Sequence, residues 1–154
     1  MNVIQKLDEL GLTLPTEPQP AANYVPWVIS GDHIYLAGQT PKDGTELVYS
    51  GQLGSELTTS EGYQAARLCI LRSLSAMNAA LAGLNRVEQI VKLTVFVNAD
   101  AGFTEHPKVA DGASDLLGEL FGVSGQHCRT SVGVSTLPGN ASVEVDLVAR
   151  VRLV

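Results

Sequence analysis

The C-terminal segment has the pattern of two strands joined by a turn, and it constrains the fold more than any other part of the chain. Arg129 to Thr136 is followed by Leu137-Pro138, and residues 143–153 then alternate apolar and polar side chains. This alternation predicts a strand with one buried face. Glu144 interrupts its apolar residues, where a charge is costly unless it has a partner or a role. We therefore expect Arg129 and Glu144, on successive strands, to form a small site for an anionic ligand.

Composition favours a single folded domain over residues 1–154 and limits its partners. Charged residues are 17% and hydrophobic residues 45% of the chain, which predicts surface buried in an oligomer. A net charge of −6 without a basic cluster argues against nucleic-acid binding. No segment approaches the ~20 apolar residues of a membrane span. Cys69 and Cys128 lie far apart, and we expect buried, reduced thiols in a cytoplasmic protein.

Periodicity and turn signals predict an α+β fold. The expected elements are a short helix over 2–10, a proline-rich arm over 13–26, a hairpin over 27–37, a short strand within 42–49, a long helix after the Thr58/Glu61 capping box, a strand over 87–97 and a second long helix from Pro107. Their order predicts a mixed β-sheet with the two long helices packed on one face. Residues 1–20 would form the N-terminal helix and arm, and residues 21–154 the core. The opposite sheet face would carry Lys92, Thr94 and Glu144, covered by a partner subunit.

Five segments together resemble the RidA/YjgF superfamily, also called the L-PSP endoribonuclease family, over residues 21–154. They are Asn23-Tyr24-Val25, Gly38-Gln39, Gly51-Gln52-Leu53-Gly54, Val91 to Val97, and Arg129 to Glu144. The last is the most specific, because Arg, Leu-Pro and Glu stand at the family's spacing in a strand–turn–strand frame. The resemblance implies a chorismate-mutase-like α+β fold and a homotrimer with ligand clefts between subunits.

The resemblance also implies an activity: hydrolysis of reactive 2-imino or enamino acids to 2-keto acids and ammonia, without metal or organic cofactor. Arg129 would grip the substrate carboxylate, and Glu144, as the catalytic residue, would hold the attacking water. Tyr24 would line the cleft from the neighbouring subunit. Groups at Gly38 and Ser131 would hold the nitrogen end of the substrate. If Glu144 were buried beside Arg129, its pKa would fall.

Two positions depart from the pattern of active deaminases, which keep Ser before the Gly-Gln pair and Cys two residues after the arginine. This chain has Ala37 and Ser131 there. The departures favour a second hypothesis, a non-catalytic trimer that binds a small carboxylate as a sensor or metabolic partner. Ribonuclease activity is a third hypothesis, which the acidic charge disfavours.

Other interpretations of these residues are structural. Arg129 could form an ion pair with Glu144, Glu144 could be a surface residue of an edge strand, and Tyr24 could merely pack in the arm. Cys128, which should point to the opposite side of the strand from Arg129, is expected to pack in the core. The three histidines are isolated and lack metal-ligand spacing: His33, His106 and His127.

Overall fold

A computed structural model of the chain describes residues 1–154 and contains three α-helices and seven strands. In chain order they are α1 (Val3–Glu9), β1 (Trp27–Ser30), β2 (His33–Gln39), β3 (Lys42–Asp43), β4 (Glu46–Leu47), α2 (Thr59–Leu81), β5 (Val87–Asn98), α3 (His106–Phe121), β6 (Cys128–Val134) and β7 (Val143–Val151). Most elements lie where the sequence predicts them. The segment 42–49 is a small two-strand hairpin, β3–β4, instead of one short strand. No helix is long and apolar enough to cross a membrane.

The main sheet has the strand order β1-β2-β7-β5-β6 and is mixed, as predicted. Every neighbouring pair is antiparallel except β5 and β6, which run parallel. The two C-terminal strands, β6 and β7, are therefore not neighbours, because β5 lies between them. Arg129 and Glu144 lie on strands that are successive along the chain, as predicted, but these strands are not adjacent in the sheet. β1 and β6 form the two edges of the sheet.

The long helices α2 and α3 cover one face of the sheet. Thr58 begins α2 with the predicted capping box: its hydroxyl accepts from the Glu61 backbone N–H at 3.1 Å, and the Glu61 carboxylate accepts from the Thr58 N–H. The core lies between these helices and the inward side chains of β5 and β7. In β7 every second residue is buried, whereas in β5 an irregularity in the strand pairing interrupts the alternation between Ile90 and Leu93. The short helix α1 packs against α3 through the buried Val3 and Leu7.

The proline-rich arm runs from α1 to β1 without forming a helix or a strand, as predicted. The hydroxyl of Ser75, on α2, donates to the Pro15 carbonyl at 2.6 Å and fixes the arm to the helix. Pro18 is buried, and Tyr24 near the end of the arm is 51% exposed. The arm therefore lies over the region where α2 meets the strand β2.

Close contact between α2 and α3 depends on a glycine. A Cβ atom at Gly112 would lie 2.0 Å from the Tyr63 carbonyl oxygen, far inside van der Waals contact. Gly118 is on the same helix but faces open space, with no atom within 4 Å of the corresponding Cβ position. The two positions form a matched pair in which helix propensity is the same and packing differs.

We expect Gly112→Ala to destabilise the protein by about 1–3 kcal/mol or more, because α3 must move away from a backbone atom of α2. Gly118→Ala should instead stabilise the protein by up to ~1 kcal/mol through helix propensity alone. Equilibrium urea unfolding, at one protein concentration for all variants, measures both changes. Equal stability of the two variants would contradict the assigned helix packing.

Candidate functional site

A cavity of about 130 Å³ lies between the proline-rich arm and the strands β2 and β7. It brings together three of the five predicted site residues, Tyr24, Gly38 and Glu144. Ala37, one of the two positions that depart from the deaminase pattern, also lines it. The arm closes one side through Pro18 and its neighbours, and two cationic residues, Lys42 and Arg72, complete the wall.

Gly38 lies in a β-bulge that places the backbone of β2 against Glu144. Leu36 pairs with Leu147 and Gln39 with Val145, so three steps along β2 match two steps along β7. A Cβ atom at position 38 would lie 3.1 Å from the Glu144 carboxyl carbon. The missing side chain at Gly38 therefore leaves room for the carboxylate of Glu144.

Glu144 is half-buried on the sheet face opposite the helices. Burial raises its pKa above the ordinary value, and the like charge of Asp146, two residues along β7, raises it further. The lowered pKa was expected only for a Glu144 buried beside Arg129, and that condition is not met within the single chain. The expected cause, a neighbouring Arg129 guanidinium, is absent from this cavity.

Arg129 lies on the helix-covered face of the sheet, the opposite face from Glu144. It pairs in register with Leu93 of β5, which is fully buried under the helices. Its guanidinium donates to the carboxylate of Asp111 at 2.8 Å and to the hydroxyl of Ser114 at 3.0 Å, both on α3. The ion-pair partner of Arg129 in this chain is thus Asp111 and not Glu144.

Ser131 follows Arg129 by two residues on β6, so both side chains point to the same face of the strand. Both are half-buried at the sheet edge. The predicted site residues therefore form two separate groups within one chain. Tyr24, Gly38 and Glu144 line one cavity, and Arg129 and Ser131 lie at the β6 edge.

A hydrogen-bonded group beside Arg129 contains a histidine that the sequence did not assign. His127 Nδ1 lies 2.6 Å from the Gly125 carbonyl oxygen, so that nitrogen carries the proton. The other ring nitrogen, Nε2, then accepts from the Ser114 hydroxyl at 2.9 Å. His127 is thus not isolated, and through Ser114 it helps to hold the guanidinium of Arg129. Its position two residues before Arg129, directly before the predicted strand, was the available signal.

Arg72 is a second residue of interest that the sequence analysis missed. It lies within the apolar run Leu68 to Leu74 of α2, and it is only 7% exposed. Its Nε donates to Gln39 Oε1 at 3.3 Å and its Nη1 to the Lys42 carbonyl oxygen at 3.4 Å. An arginine in the middle of an apolar helical run was the signal that could have identified it.

The two cysteines differ from the expectation of two buried thiols. Cys69 is fully buried, and burial holds the pKa of its thiol far above the ordinary value. Cys128 is exposed on the sheet face opposite Arg129, where its thiol donates to the Val91 carbonyl at 3.2 Å. The predicted side of the strand is confirmed for Cys128, but core packing is wrong because the helices cover only the other face.

The raised pKa of Glu144 can be measured directly in the protein. We expect carboxyl-carbon NMR titration to give a Glu144 pKa above the ordinary glutamate value of 4.5. Asp146→Asn should lower it, because the like charge is removed while burial stays. Asp8→Asn, on the exposed surface of α1, changes the net charge equally and should leave the Glu144 pKa unchanged. A Glu144 pKa at or below 4.5 in the wild-type protein would contradict this description of the cavity.

Comparison with known proteins places this fold in a known family. Residues 5–151 match the model of the family described as "YjgF/chorismate_mutase-like, putative endoribonuclease". The chain is 49% identical to Protein TCP17 of Trypanosoma cruzi over 94% of this chain and 91% of that protein. A solved structure named "putative endoribonuclease" from Shewanella oneidensis is 38% identical, with a TM-score of 0.96 over 98% of this chain and all of the other.

A more distant relative has an assigned reaction. It is named 2-iminobutanoate/2-iminopropanoate deaminase, comes from the mite Dermatophagoides farinae, and is 26% identical over 88% of this chain and 91% of its own length. The family model spans nearly the whole chain and every element of the sheet. The chain therefore belongs to the YjgF/chorismate mutase-like family.

Proposed function

We propose that this protein is a homotrimer that hydrolyses reactive 2-imino or enamino acids to 2-keto acids and ammonia, in clefts between its subunits. The observation that carries the proposal is the Glu144 carboxyl group, which faces a small cavity across a glycine bulge and has a raised pKa. The mite relative named as an imine deaminase supports the same reaction class. No metal or organic cofactor enters the proposed chemistry.

The separation of the two residue groups supports an intersubunit site. Arg129 and Ser131 lie on β6, an edge strand, while Glu144 faces the other side of the sheet. That side exposes large apolar side chains on three strands, including Val28 at 53%, Tyr35 at 48% and Val132 at 41%. Such a surface favours burial against another subunit. In the trimer, one subunit would supply Tyr24, Gly38 and Glu144, and its neighbour Arg129 and Ser131.

In the proposed mechanism Arg129 holds the substrate carboxylate through two parallel charged hydrogen bonds. The Glu144 carboxylate accepts a proton from a water molecule as its oxygen attacks the imine carbon. Glu144 returns this proton to the substrate nitrogen, which gives an amino alcohol. Transfer of the hydroxyl proton to the nitrogen, through Glu144, then breaks the carbon–nitrogen bond as the carbonyl forms. Ammonia leaves and the 2-keto acid remains. Because a general base is most effective when its pKa lies near the working pH, the raised pKa of Glu144 suits this role.

A second candidate function is non-catalytic binding of a small carboxylate by the same trimer. It is favoured by Ala37 in the Glu144 cavity and by Ser131 beside Arg129, where active deaminases keep a hydroxyl and a thiol. The ion pair between Arg129 and Asp111 also competes with ligand for the guanidinium. Direct measurement of the hydrolysis rate separates the two candidates.

We expect Glu144→Gln to lower the hydrolysis rate by about 10²–10⁴, because the variant keeps its hydrogen-bonding shape but loses the base. It should still bind a 2-keto acid. Arg129→Ala should weaken that binding by roughly ten- to a hundredfold, as expected for loss of a charged hydrogen bond. Ammonia release from an imine generated in place by an amino-acid oxidase measures the rate, and calorimetry the binding.

Two controls accompany these variants. Glu9→Gln changes an exposed carboxylate on α1 and should leave the rate unchanged. Ala37→Ser combined with Ser131→Cys restores the deaminase pattern and should raise the rate. If the wild-type protein gives no rate above buffer across a panel of imino acids but binds 2-keto acids, the binding function replaces the enzymatic one.

The intersubunit site has its own test in mixed trimers. Light scattering should give the mass of three chains. When Arg129→Ala and Glu144→Gln chains are unfolded, mixed equally and refolded, about one quarter of the clefts combine intact Arg129 from one chain with intact Glu144 from the other. The mixture should therefore regain about a quarter of the wild-type rate. If it shows no more activity than the separate variants, both residues act from one chain.

A further inference from the structure

Arg72 is a buried cation without an acidic partner. It makes none of the chain's five ion pairs. Its two hydrogen bonds go to neutral oxygen atoms, at 3.3 and 3.4 Å. These distances are long compared with the ~2.7–2.9 Å of a charge-assisted hydrogen bond. Buried charges in proteins are normally paired, so the missing anion requires an explanation.

The remaining guanidinium nitrogen, Nη2, is open to a ligand. Nη2 donates to no protein atom. The only buried side-chain atoms without a hydrogen-bond partner are Asn98 Oδ1 and Ser142 Oγ, so Nη2 is in contact with solvent. Arg72 lines the Glu144 cavity and also an adjoining cavity of about 660 Å³ under the same proline-rich arm. Its free donor therefore faces space that a small molecule can enter.

The charge of the Glu144 cavity is opposite to that of the protein. The chain has 10 Lys and Arg residues against 16 Asp and Glu residues. The cavity lining instead contains two basic residues, Lys42 and Arg72, and one acidic residue, Glu144. Tyr24 also lines it and is neutral at ordinary pH. Glu17 and Asp43 line the adjoining cavity but not the Glu144 cavity, and neither forms an ion pair with Arg72. Two cations thus face one carboxyl group whose pKa is already raised.

We propose that Arg72, assisted by Lys42, binds a second anionic group of the ligand, so that the preferred ligands are 2-imino and 2-keto acids that carry a further carboxylate. The proposal rests on the proposed function, in which Arg129 of the neighbouring subunit holds the first carboxylate. The reacting carbon would lie between the two arginines, next to Glu144. Recognition of both ends then fixes the orientation of the substrate before water attacks.

The test compares two ligands with the same number of carbon atoms, 2-oxoglutarate with two carboxylates and 2-oxopentanoate with one. Calorimetry at fixed ionic strength should show wild-type protein binding 2-oxoglutarate about tenfold or more tightly than 2-oxopentanoate. Arg72→Gln should abolish this preference and leave 2-oxopentanoate binding unchanged. Arg72→Lys keeps the charge and should retain part of the preference.

Arg67→Gln is the matched control. Arg67 lies on the same helix but pairs with Glu119 at 3.2 Å, away from the Glu144 cavity. Its loss lowers the positive charge equally and should leave the preference intact. If Arg72→Gln does not fold, the proposal is tested by the affinities of the wild-type protein and of Arg72→Lys for the two ligands.

The possible failures are distinguishable. Equal wild-type affinity for the two ligands overturns the role of Arg72, while the proposed deaminase stands if imines are still hydrolysed. A preference that persists in a folded Arg72→Gln variant assigns Arg72 a structural role only and also overturns the proposal. If neither ligand binds and no imine is hydrolysed, the proposed function fails together with the proposal.

Discussion

The pairing of β5 with β7 on one side and β6 on the other determines where each candidate functional side chain lies. β5 is long and has buried residues at alternate positions from Leu93 to Val97, and it takes the middle of the sheet between the two C-terminal strands. This insertion places Arg129 at an edge, and its register turns the guanidinium toward α3. Glu144 lies on β7, the other neighbour of β5, and faces the side of the sheet that the helices do not cover. The same pairing that builds the core thus keeps the two charged groups apart.

Local features of the fold were predictable because each depends on a few neighbouring residues. The Thr58/Glu61 capping box fixed the start of α2, and the alternation after Val143 fixed which side chains of β7 enter the core. Strand order was not predictable in this way, since the Leu137-Pro138 turn is compatible with both paired and separated strands. The position of Arg129 relative to Glu144 therefore required the long-range pairing. Arg72 was missed for a related reason, because its partners Gln39 and Lys42 are 33 and 30 residues away in sequence.

Several charged groups in and around the cavity oppose folding, which is characteristic of a functional site. Glu144 and Asp146 both have a pKa raised chiefly by burial, so their charged forms are less favourable in the folded chain than in the unfolded one. Arg72 is nearly inaccessible and has only weak neutral partners. Apolar residues at these positions would stabilise the fold more. Glu144 on β7 and Arg72 on α2 line the same small cavity, and this arrangement is difficult to explain by packing alone.

The Gly38 bulge connects this electrostatic cost to the geometry of the cavity. An extra residue in β2 shifts the register against β7, and the missing side chain at Gly38 leaves the Glu144 carboxyl group space to face the cavity. A larger residue there would press on that carboxyl group and narrow its range of orientations. The buried Gln39, the next residue on β2, is the hydrogen-bond acceptor for Arg72. One irregular step in a single strand therefore sets the positions of both the acid and the cation, and a change in the bulge would alter both together.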